Sequence, residues 1–267
     1  MEEEVTLPAV RWPAEAIWQA VSPQLPDFSV EILPEVDSTN TELMRRARAG
    51  RSEPVLLVAE RQSAGRGRLG RDWQSGPAAE SLTFSLGLPL APAAWSGLSL
   101  VAGVAVAESL HPDLGLKWPN DLWWHERKLG GILVETAGAG SGGPAEERAG
   151  RYVVIGIGLN ITAPAAEGLR TPAAGLRELM PGIAAPAVLE AVAAPLVQAV
   201  LAFAATGFAP WQARFAARDA LRGRAVVLSD GRTGTAGSVD ADGALLLRTA
   251  AGTEAVSSAE VSVRPAA

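Results

Sequence analysis

Cysteine is absent from this 267-residue chain, and histidine occurs only at His111 and His125. The first absence excludes a disulfide framework and thiolate metal sites, and it fits a reducing compartment such as the cytosol. The second excludes a histidine-rich metal centre. Positive charge is also in short supply: 23 Lys and Arg stand against 29 Asp and Glu, a formal net charge of −6. General nucleic-acid binding draws its affinity from excess basic charge, so the balance argues against it. The amino terminus, Met1-Glu2-Glu3-Glu4, lacks the basic and apolar regions of a signal peptide. No apolar run is expected to reach the roughly 18 residues of a membrane span, because Gly or Pro breaks the longest ones. What is there is a composition 48% hydrophobic and 19% charged, enough for one large domain with a buried core plus a small second one.

Read along the chain, a helix is predicted over 13–21, ended by Pro23 and Pro26. A strand over 30–36 is placed at a sheet edge or a strand end by Pro34, which cannot donate to a ladder. Asp37-Ser38-Thr39-Asn40 supplies N-cap residues for a helix that Gly50 closes. Further strands are predicted over 55–60, 81–88, 115–118, 122–124, 129–136 and 152–160, and helices over 95–110, 187–206 and 211–220. His125-Glu126-Arg127 forms a tight turn, and 138–150, rich in Gly, Ala and Glu, reads as a mobile loop. The texture changes at Leu221, after which short β-rich runs are punctuated by Asp230-Gly231 and Asp242-Gly243. The expected organisation is a first domain over 1–220 and a small SH3-like β-barrel over 221–267, whose balanced charges again argue against nucleic acid.

Positive charge is concentrated in Gly65-Arg66-Gly67-Arg68-Leu69-Gly70-Arg71-Asp72-Trp73. Such a loop is costly to keep empty, since glycine loses much backbone freedom when ordered and three like charges repel. Arginine forks suit carboxylate or phosphate, and the glycines let the backbone approach the same oxygens. The spelling also satisfies G-x-G-x-x-G. A dinucleotide-binding turn needs a strand directly before it and a helix opening at its third glycine. Here Arg61-Gln62-Ser63-Ala64 intervenes, and Trp73, Gly76 and Pro77 follow. The ligand expected is therefore a small anion.

Three other segments place polar residues where strands end. Ser38-Thr39-Asn40 caps a helix and offers more hydrogen-bonding groups than one cap needs. Lys117-Trp118-Pro119-Asn120-Asp121 leads into Lys128-Leu129-Gly130-Gly131-Ile132-Leu133-Val134-Glu135, where a lysine enters an apolar strand beside paired glycines. An ammonium there needs an anion, because burying it alone is costly. Asp121 is a turn residue, a magnesium ligand or the anchor of a lysine; Lys117 is open between a buried and an exposed place. Gly156-Ile157-Gly158-Leu159-Asn160 marks close approach to a strand and ends on a side chain that offers both a donor and an acceptor.

In this order the segments resemble the biotin–protein ligases, from about residue 30 to the carboxyl terminus. The arginine-glycine loop, the Lys-Trp-Pro-Asn-Asp element, the Lys-Leu-Gly-Gly-Ile-Leu-Val-Glu strand, the Gly-Ile-Gly-Leu-Asn strand and the Ser-Thr-Asn helix start all have counterparts there. Asp72 stands where a basic residue is common. Some members carry an N-terminal winged helix-turn-helix; only 37 residues precede Ser38, so the ligase-only type without operator DNA binding is expected.

The resemblance implies an α+β fold: a mixed β-sheet with flanking helices, like class II aminoacyl-tRNA synthetases, plus the small barrel. It also implies two chemical steps. Biotin and ATP with Mg²⁺ give biotinyl-5′-adenylate, and a lysine of a biotin carboxyl carrier domain then takes the biotinyl group. Lys128, Arg66 and Arg68 are the catalytic candidates. Ser38, Thr39, Asn40, Gln62, Gly67, Gly130 and Gly131, with Arg66, Arg68 and Lys128, are candidates for biotin. Arg68, Arg71, Trp73, Asn120, Lys128 and Asn160 are candidates for the nucleotide, Asn160 reading adenine. Asp121 takes the Mg²⁺ or the incoming lysine. A cytoplasmic monomer or homodimer, with no membrane partner, is expected. The alternatives are a lipoate or octanoate ligase and a non-catalytic biotin-binding protein.

Overall fold

The computed structural model describes residues 10–137, 150–165, 171–257 and 261–266. The loop predicted over 138–150 lies, except for Gly150, outside the described residues. Two β-sheets organise the chain. The larger contains β1 (Ser29–Val36), β2 (Val55–Gln62), β3 (Ser81–Leu90), β4 (Gly115–Lys117), β5 (Asp121–Trp124), β6 (Arg127–Ala137) and β7 (Arg151–Asn160). Its order is β1-β2-β3-β7-β6-β5-β4. β1 and β2 are parallel, and every other neighbouring pair is antiparallel, so the sheet is mixed. As Pro34 predicts, β1 is an edge.

Helices cover both faces, which is why β2 reads as a continuous apolar run rather than an alternating one. On one face α2 (Thr39–Arg48) packs Leu43 and Met44 against Val55, Leu57, Tyr152 and Val154. On the other, α3 (Leu98–Leu110) and α5 (Ala185–Thr206) pack on Leu56, Val58, Phe84 and Ile155, with α1 (Ala14–Val21) beside them. α3 is apolar all round because it lies between the sheet and α5. It begins at Leu98, not at Trp95 as predicted: Gly97 has φ +86° and stands where a Cβ would come within 2.6 Å of the Phe208 ring. α5 corrects the expectation about apolar runs. Its 22 residues, with Pro195 inside, contain an 18-residue stretch of mean hydropathy 1.9, long and apolar enough to cross a membrane. Here Val188, Leu189, Val192, Leu196, Val200 and Phe203 are buried in the fold, as befits a core helix.

The helix predicted over 211–220 shrinks to α6 (Gln212–Ala216), after the single turn α4 (Leu176–Leu179) earlier in the chain. The reason is a competing partner. Arg218 O accepts from Leu116 N at 2.8 Å and Ala220 N donates to Leu116 O at 2.9 Å, so this segment covers the exposed edge of β4. An uncovered edge would present unpaired donors and acceptors.

The second sheet is antiparallel throughout: β8 (Ala225–Leu228), β9 (Thr233–Val239), β10 (Leu245–Thr249), β11 (Gly252–Val256) and β12 (Val263–Pro265), in the order β11-β10-β9-β8-β12. The predicted turn glycines adopt left-handed backbone, φ +91° at Gly231 and +80° at Gly243. The second turn docks on the first sheet's helices. Trp118 Nε1 donates to Gly243 O at 3.0 Å, and the Gly243 Cα faces Gly97 so closely that a Cβ there would lie 2.9 Å from it. Buried side chains of both sheets belong to one continuous core.

Two features generate predictions. Asn40 of α2 lies flat on β7 at Gly156, where a Cβ would come within 2.1 Å of the amide oxygen. That amide is fixed: Nδ2 donates to Glu135 Oε2 at 2.9 Å and to Leu133 O at 3.2 Å, and Ser85 Oγ lies 2.7 Å from Oδ1. Gly156→Ala should therefore lower unfolding free energy by about 1–3 kcal/mol in denaturant titrations, as overpacked cores do; an unchanged midpoint would contradict this packing. Asp219, at the junction of the two sheets, accepts from Leu221 N at 2.9 Å through Oδ1, while its Oδ2 is buried without a partner. Burial pushes its pKa up from 3.8 to about 6. The folded state thus binds the extra proton, and this contribution to stability is lost as pH rises through about 6. Asp219→Asn keeps the acceptor and removes the titration. Its melting temperature should gain on the parent between about pH 4 and pH 7, and a constant difference would contradict the assignment.

Candidate active site

A cavity of about 820 Å³ opens on the α2 face of the large sheet. That is a volume typical of small-molecule sites. α2 covers only part of this face, and the arginine-glycine segment, the β4–β5 turn and β12 enclose the rest. Glycine makes the floor. Residues 156 and 158 share the α2 face by strand alternation, and Asn40 fills the space above the first. The indole of Trp73 fills the space above the second, where a Cβ would approach ring carbon Cε2 to 2.4 Å.

At one end sits a buried polar group. Ser38 caps α2 by accepting from Thr41 N at 3.4 Å, and its neighbour Thr39 is equally buried. Gln62 Oε1 accepts from Thr39 N at 2.8 Å and from Thr39 Oγ1 at 3.2 Å, while Gln62 Nε2 donates to Ser75 Oγ at 3.1 Å. Ser85 Oγ, on the sheet, lies 2.6 Å from Thr39 Oγ1. Ser38, Thr39 and Gln62 therefore face the cavity as a preorganised set of donors and acceptors.

The arginine-glycine segment is a hydrogen-bonded hairpin. Trp73 N donates to Gly65 O at 2.9 Å, Gly67 N to Arg71 O at 2.7 Å, and Leu69 and Gly70 turn the chain with φ +57° and +68°. Gly65 has no room for a side chain, since a Cβ would lie 2.4 Å from Trp73 O. The hairpin fans its three cations apart. Arg66 reaches out to Glu135 Oε1 at 3.3 Å, Arg68 reaches in to Asn120 Oδ1 at 3.1 Å, and Arg71 crosses to Ser262 Oγ on the second sheet at 3.2 Å. Burial pulls the Arg68 pKa down, partly offset by the charge of Asp121.

The β4–β5 turn supplies the opposite wall. Asn120 Nδ2 donates to Ile132 O at 2.8 Å, which fixes the turn to β6. Asp121 stands between two ammonium groups: Oδ1 lies 2.8 Å from Lys128 Nζ and Oδ2 3.5 Å from Lys117 Nζ. Lys128 Nζ also lies 5.9 Å from the centre of the Trp73 ring. With both oxygens engaged by cations, Asp121 is poorly suited to ligate Mg²⁺. Among the described residues no group of three or more His, Cys, Asp or Glu gathers as a metal site. A divalent cation would enter on the oxygens of a polyphosphate rather than in a protein cage.

Most of the predicted residues converge. Ser38, Thr39, Asn40, Gln62, Arg66, Gly67, Arg68, Arg71, Trp73, Asn120, Asp121, Lys128 and Gly131 all line the cavity. Two do not. Gly130 pairs with Leu159, on the other face of β6, and its empty side abuts Gly158 O and the Leu159 side chain. Asn160 shares the cavity face but is buried beyond it, donating to Ala174 O at 3.0 Å and Lys128 O at 3.4 Å, so it ties segment 171–175 to the sheet. Lys117 is the open case that resolves: it is buried, with Nζ 5.3 Å from the centre of the Trp123 ring. Sequence reading missed Thr83 on β3 and the contribution of the second sheet, where Ser229, Ser262 and Arg264 line the cavity.

Comparison with known proteins agrees with this arrangement. Residues 32–160 match the Biotin/lipoate A/B protein ligase family, and residues 223–264 match the Biotin protein ligase C terminal domain. The chain is 38% identical over 168 residues to a biotin–[acetyl-CoA-carboxylase] ligase of Mycobacterium tuberculosis, a match spanning 59% of this chain and 57% of that one. It is 34% identical over 253 residues to the protein of the same description from Paracoccus denitrificans, spanning 86% of this chain and 98% of the other. The fold superposes on a biotin protein ligase from Aquifex aeolicus solved in complex with biotin and ATP, with a TM-score of 0.75, 29% identity and coverage of 89% of this chain and 99% of that one. In sequence across both sheets and in architecture, the chain belongs to the biotin–protein ligase family.

Proposed function

We propose that the chain activates biotin with ATP as biotinyl-5′-adenylate and transfers the biotinyl group to a lysine of a biotin carboxyl carrier domain. The observation that carries this reading is one cavity holding both halves of the recognition problem: the Ser38, Thr39 and Gln62 set at one end, and Arg68, Lys128 and Arg71 further along. The first suits the donor and acceptor groups of a neutral ureido ring. The second suits a carboxylate meeting a phosphate.

Adenylation brings a carboxylate oxygen onto the α-phosphorus of a polyanion, so repulsion is the first obstacle. The carboxylate O–P bond forms, and the bond to pyrophosphate breaks. Arg68 and Lys128 approach this point from opposite walls and stabilise the charge that builds there. Arg66 and the Gly67 backbone close the hairpin over the carboxylate, and Trp73, lying directly on Gly158, packs under the closed hairpin on the nucleotide side. Arg71 and Asn120 serve the nucleotide side. Asn160 anchors segment 171–175 through its amide nitrogen, which leaves Oδ1 as the acceptor for the exocyclic amine of adenine. Asp121 takes the incoming lysine, the role its two ammonium neighbours favour over Mg²⁺. The closed hairpin limits water at the mixed anhydride.

We read the chain as two domains meeting near residue 220, the second an SH3-like barrel and the first a relative of class II synthetase domains. The mixed sheet with helices on both faces and the separate five-stranded sheet support this. The partner is a protein carrier and not DNA, in keeping with the net charge of −6. A cytoplasmic monomer or homodimer is the form this reading takes.

Three outcomes test these roles. With biotin, ATP, Mg²⁺ and a purified carrier domain, mass spectrometry should find one biotinyl group on one lysine. Lys128→Ala should slow adenylate formation by about 10²-fold or more, the loss seen when a preorganised charge-stabilising donor is removed, while biotin affinity measured by calorimetry falls far less. Equal losses in both would remove Lys128 from the chemistry. Arg68→Gly should release free adenylate into solvent, detected as biotinylation of bystander proteins; retention as tight as in the parent would contradict the shielding role.

A further inference from the structure

Of the two lysines in the chain, Lys117 is the harder to keep. Its side chain is 9% exposed, against 32% for Lys128, and burial pulls its ammonium pKa down while Asp121 pushes it back up. Among the described residues its one salt-bridge partner is Asp121 Oδ2, at 3.5 Å, with the face of Trp123 on the other side. The side chains of Lys117 and Asp121 are held as a pair by the strands themselves, since the two residues are register partners at the end of the β4–β5 hairpin. Lys128 is differently placed. It reaches the other oxygen, Oδ1, at 2.8 Å from β6, and it is the more exposed of the two. One carboxylate thus serves two ammonium groups that line the cavity, one deeply buried and one more exposed.

In the transfer step a third ammonium must arrive. The acceptor lysine enters as an ammonium, loses one proton to become a nucleophile, forms the C–N bond as the acyl–oxygen bond to phosphate breaks, and loses a second proton as AMP departs. It needs an anion beside the acyl phosphate. Asp121 is the carboxylate adjoining Lys128, but three ammonium groups cannot crowd one carboxylate without strong mutual repulsion. Lys128 has an alternative partner once an acyl phosphate is present, and Lys117 does not.

We propose that Lys117 is a positioning residue for acyl transfer: it holds Asp121 through Oδ2 while Lys128 moves from Oδ1 to the acyl phosphate, leaving Oδ1 for the ammonium of the acceptor lysine. The inference rests on the ligase reading above and adds an order to it. Before adenylation Oδ1 is occupied and the acceptor amine has no anion to meet. After adenylation the same atom is available, and its direction is kept by Lys117.

The test separates the two half-reactions with Lys117→Met, which keeps much of the side-chain volume and removes the charge. Adenylate is formed on the enzyme, then captured either by a carrier domain or by hydroxylamine, a small nucleophile that is uncharged at neutral pH. Transfer to the carrier lysine should fall by about 10²-fold relative to hydroxylamine capture, the scale of a lost acid–base partner. Lys117→Arg should recover most of it, because the charge and the Oδ2 contact return. Equal falls with both nucleophiles, or no fall with the carrier, would overturn the proposal. If Lys117→Met forms no adenylate, Lys117→Arg decides: transfer impaired no more than hydroxylamine capture supports it, and selective loss of transfer overturns it. A parent enzyme that forms no adenylate at all would instead overturn the ligase reading.

Discussion

Six cations of an acidic chain, Arg66, Arg68, Arg71, Lys117, Lys128 and Arg264, line one cavity, and keeping them there is the constraint that the surrounding structure answers. Like charges about 4 Å apart repel by about 4 kcal/mol at the effective dielectric near a protein surface, a large share of the about 5–15 kcal/mol that holds a domain folded. The arrangement answers in two ways. The hairpin sends its arginines to Glu135, Asn120 and Ser262, three partners on three elements. The lysines are balanced by Asp121, set between them by the β4–β5 turn. What remains is a net positive cavity whose best complement is a ligand with two adjoining anionic groups.

The large sheet makes room for this. Gly156 and Gly158 let Asn40 and Trp73 lie directly on β7, which brings the start of α2 and the end of the hairpin to the same strand. Side chains at either position would lift one of them off. The cavity is therefore shallow over its glycine floor and walled by side chains whose own partners are fixed. The second sheet completes the enclosure through β12, and the Gly97–Gly243 contact with the Trp118 hydrogen bond sets how close it sits. Substrate recognition and the seating of the small sheet thus share one turn, 118–120, which carries Trp118 toward the second sheet and Asn120 toward Arg68.

Much of this was legible in the sequence because each site segment combines residues that make poor sense apart. Arginines alternating with glycine, a lysine beside Gly130-Gly131, and a run of three cap-type residues at Ser38 each violate a local preference that only a ligand or a close contact repairs. Strand periodicity also located β2, β3, β6 and β7 to within about two residues. What was not legible depended on tertiary partners. Gly130 and Gly131 are adjacent, and only the register with β7 tells which one faces the cavity. Asn160 ends its strand as a recognition residue would, and only the fold shows that its amide nitrogen is also committed to the carbonyls of Lys128 and Ala174. Segment 217–220 has helical composition and pairs with the edge of β4 instead. Lys117 could not be assigned as buried until Asp121 and Trp123 were seen around it.

The central claim is that the ring-binding end and the cationic part of the cavity act on one molecule, joining its carboxylate to the α-phosphate of ATP. Exchange of labelled pyrophosphate into ATP, run with biotin and separately with lipoate, tests it most directly. The account predicts exchange that depends on biotin and is absent with lipoate. Exchange with lipoate alone would mean that Ser38, Thr39 and Gln62 do not select a ureido ring, and no exchange with either acid, in folded protein with Mg²⁺, would contradict the claim outright.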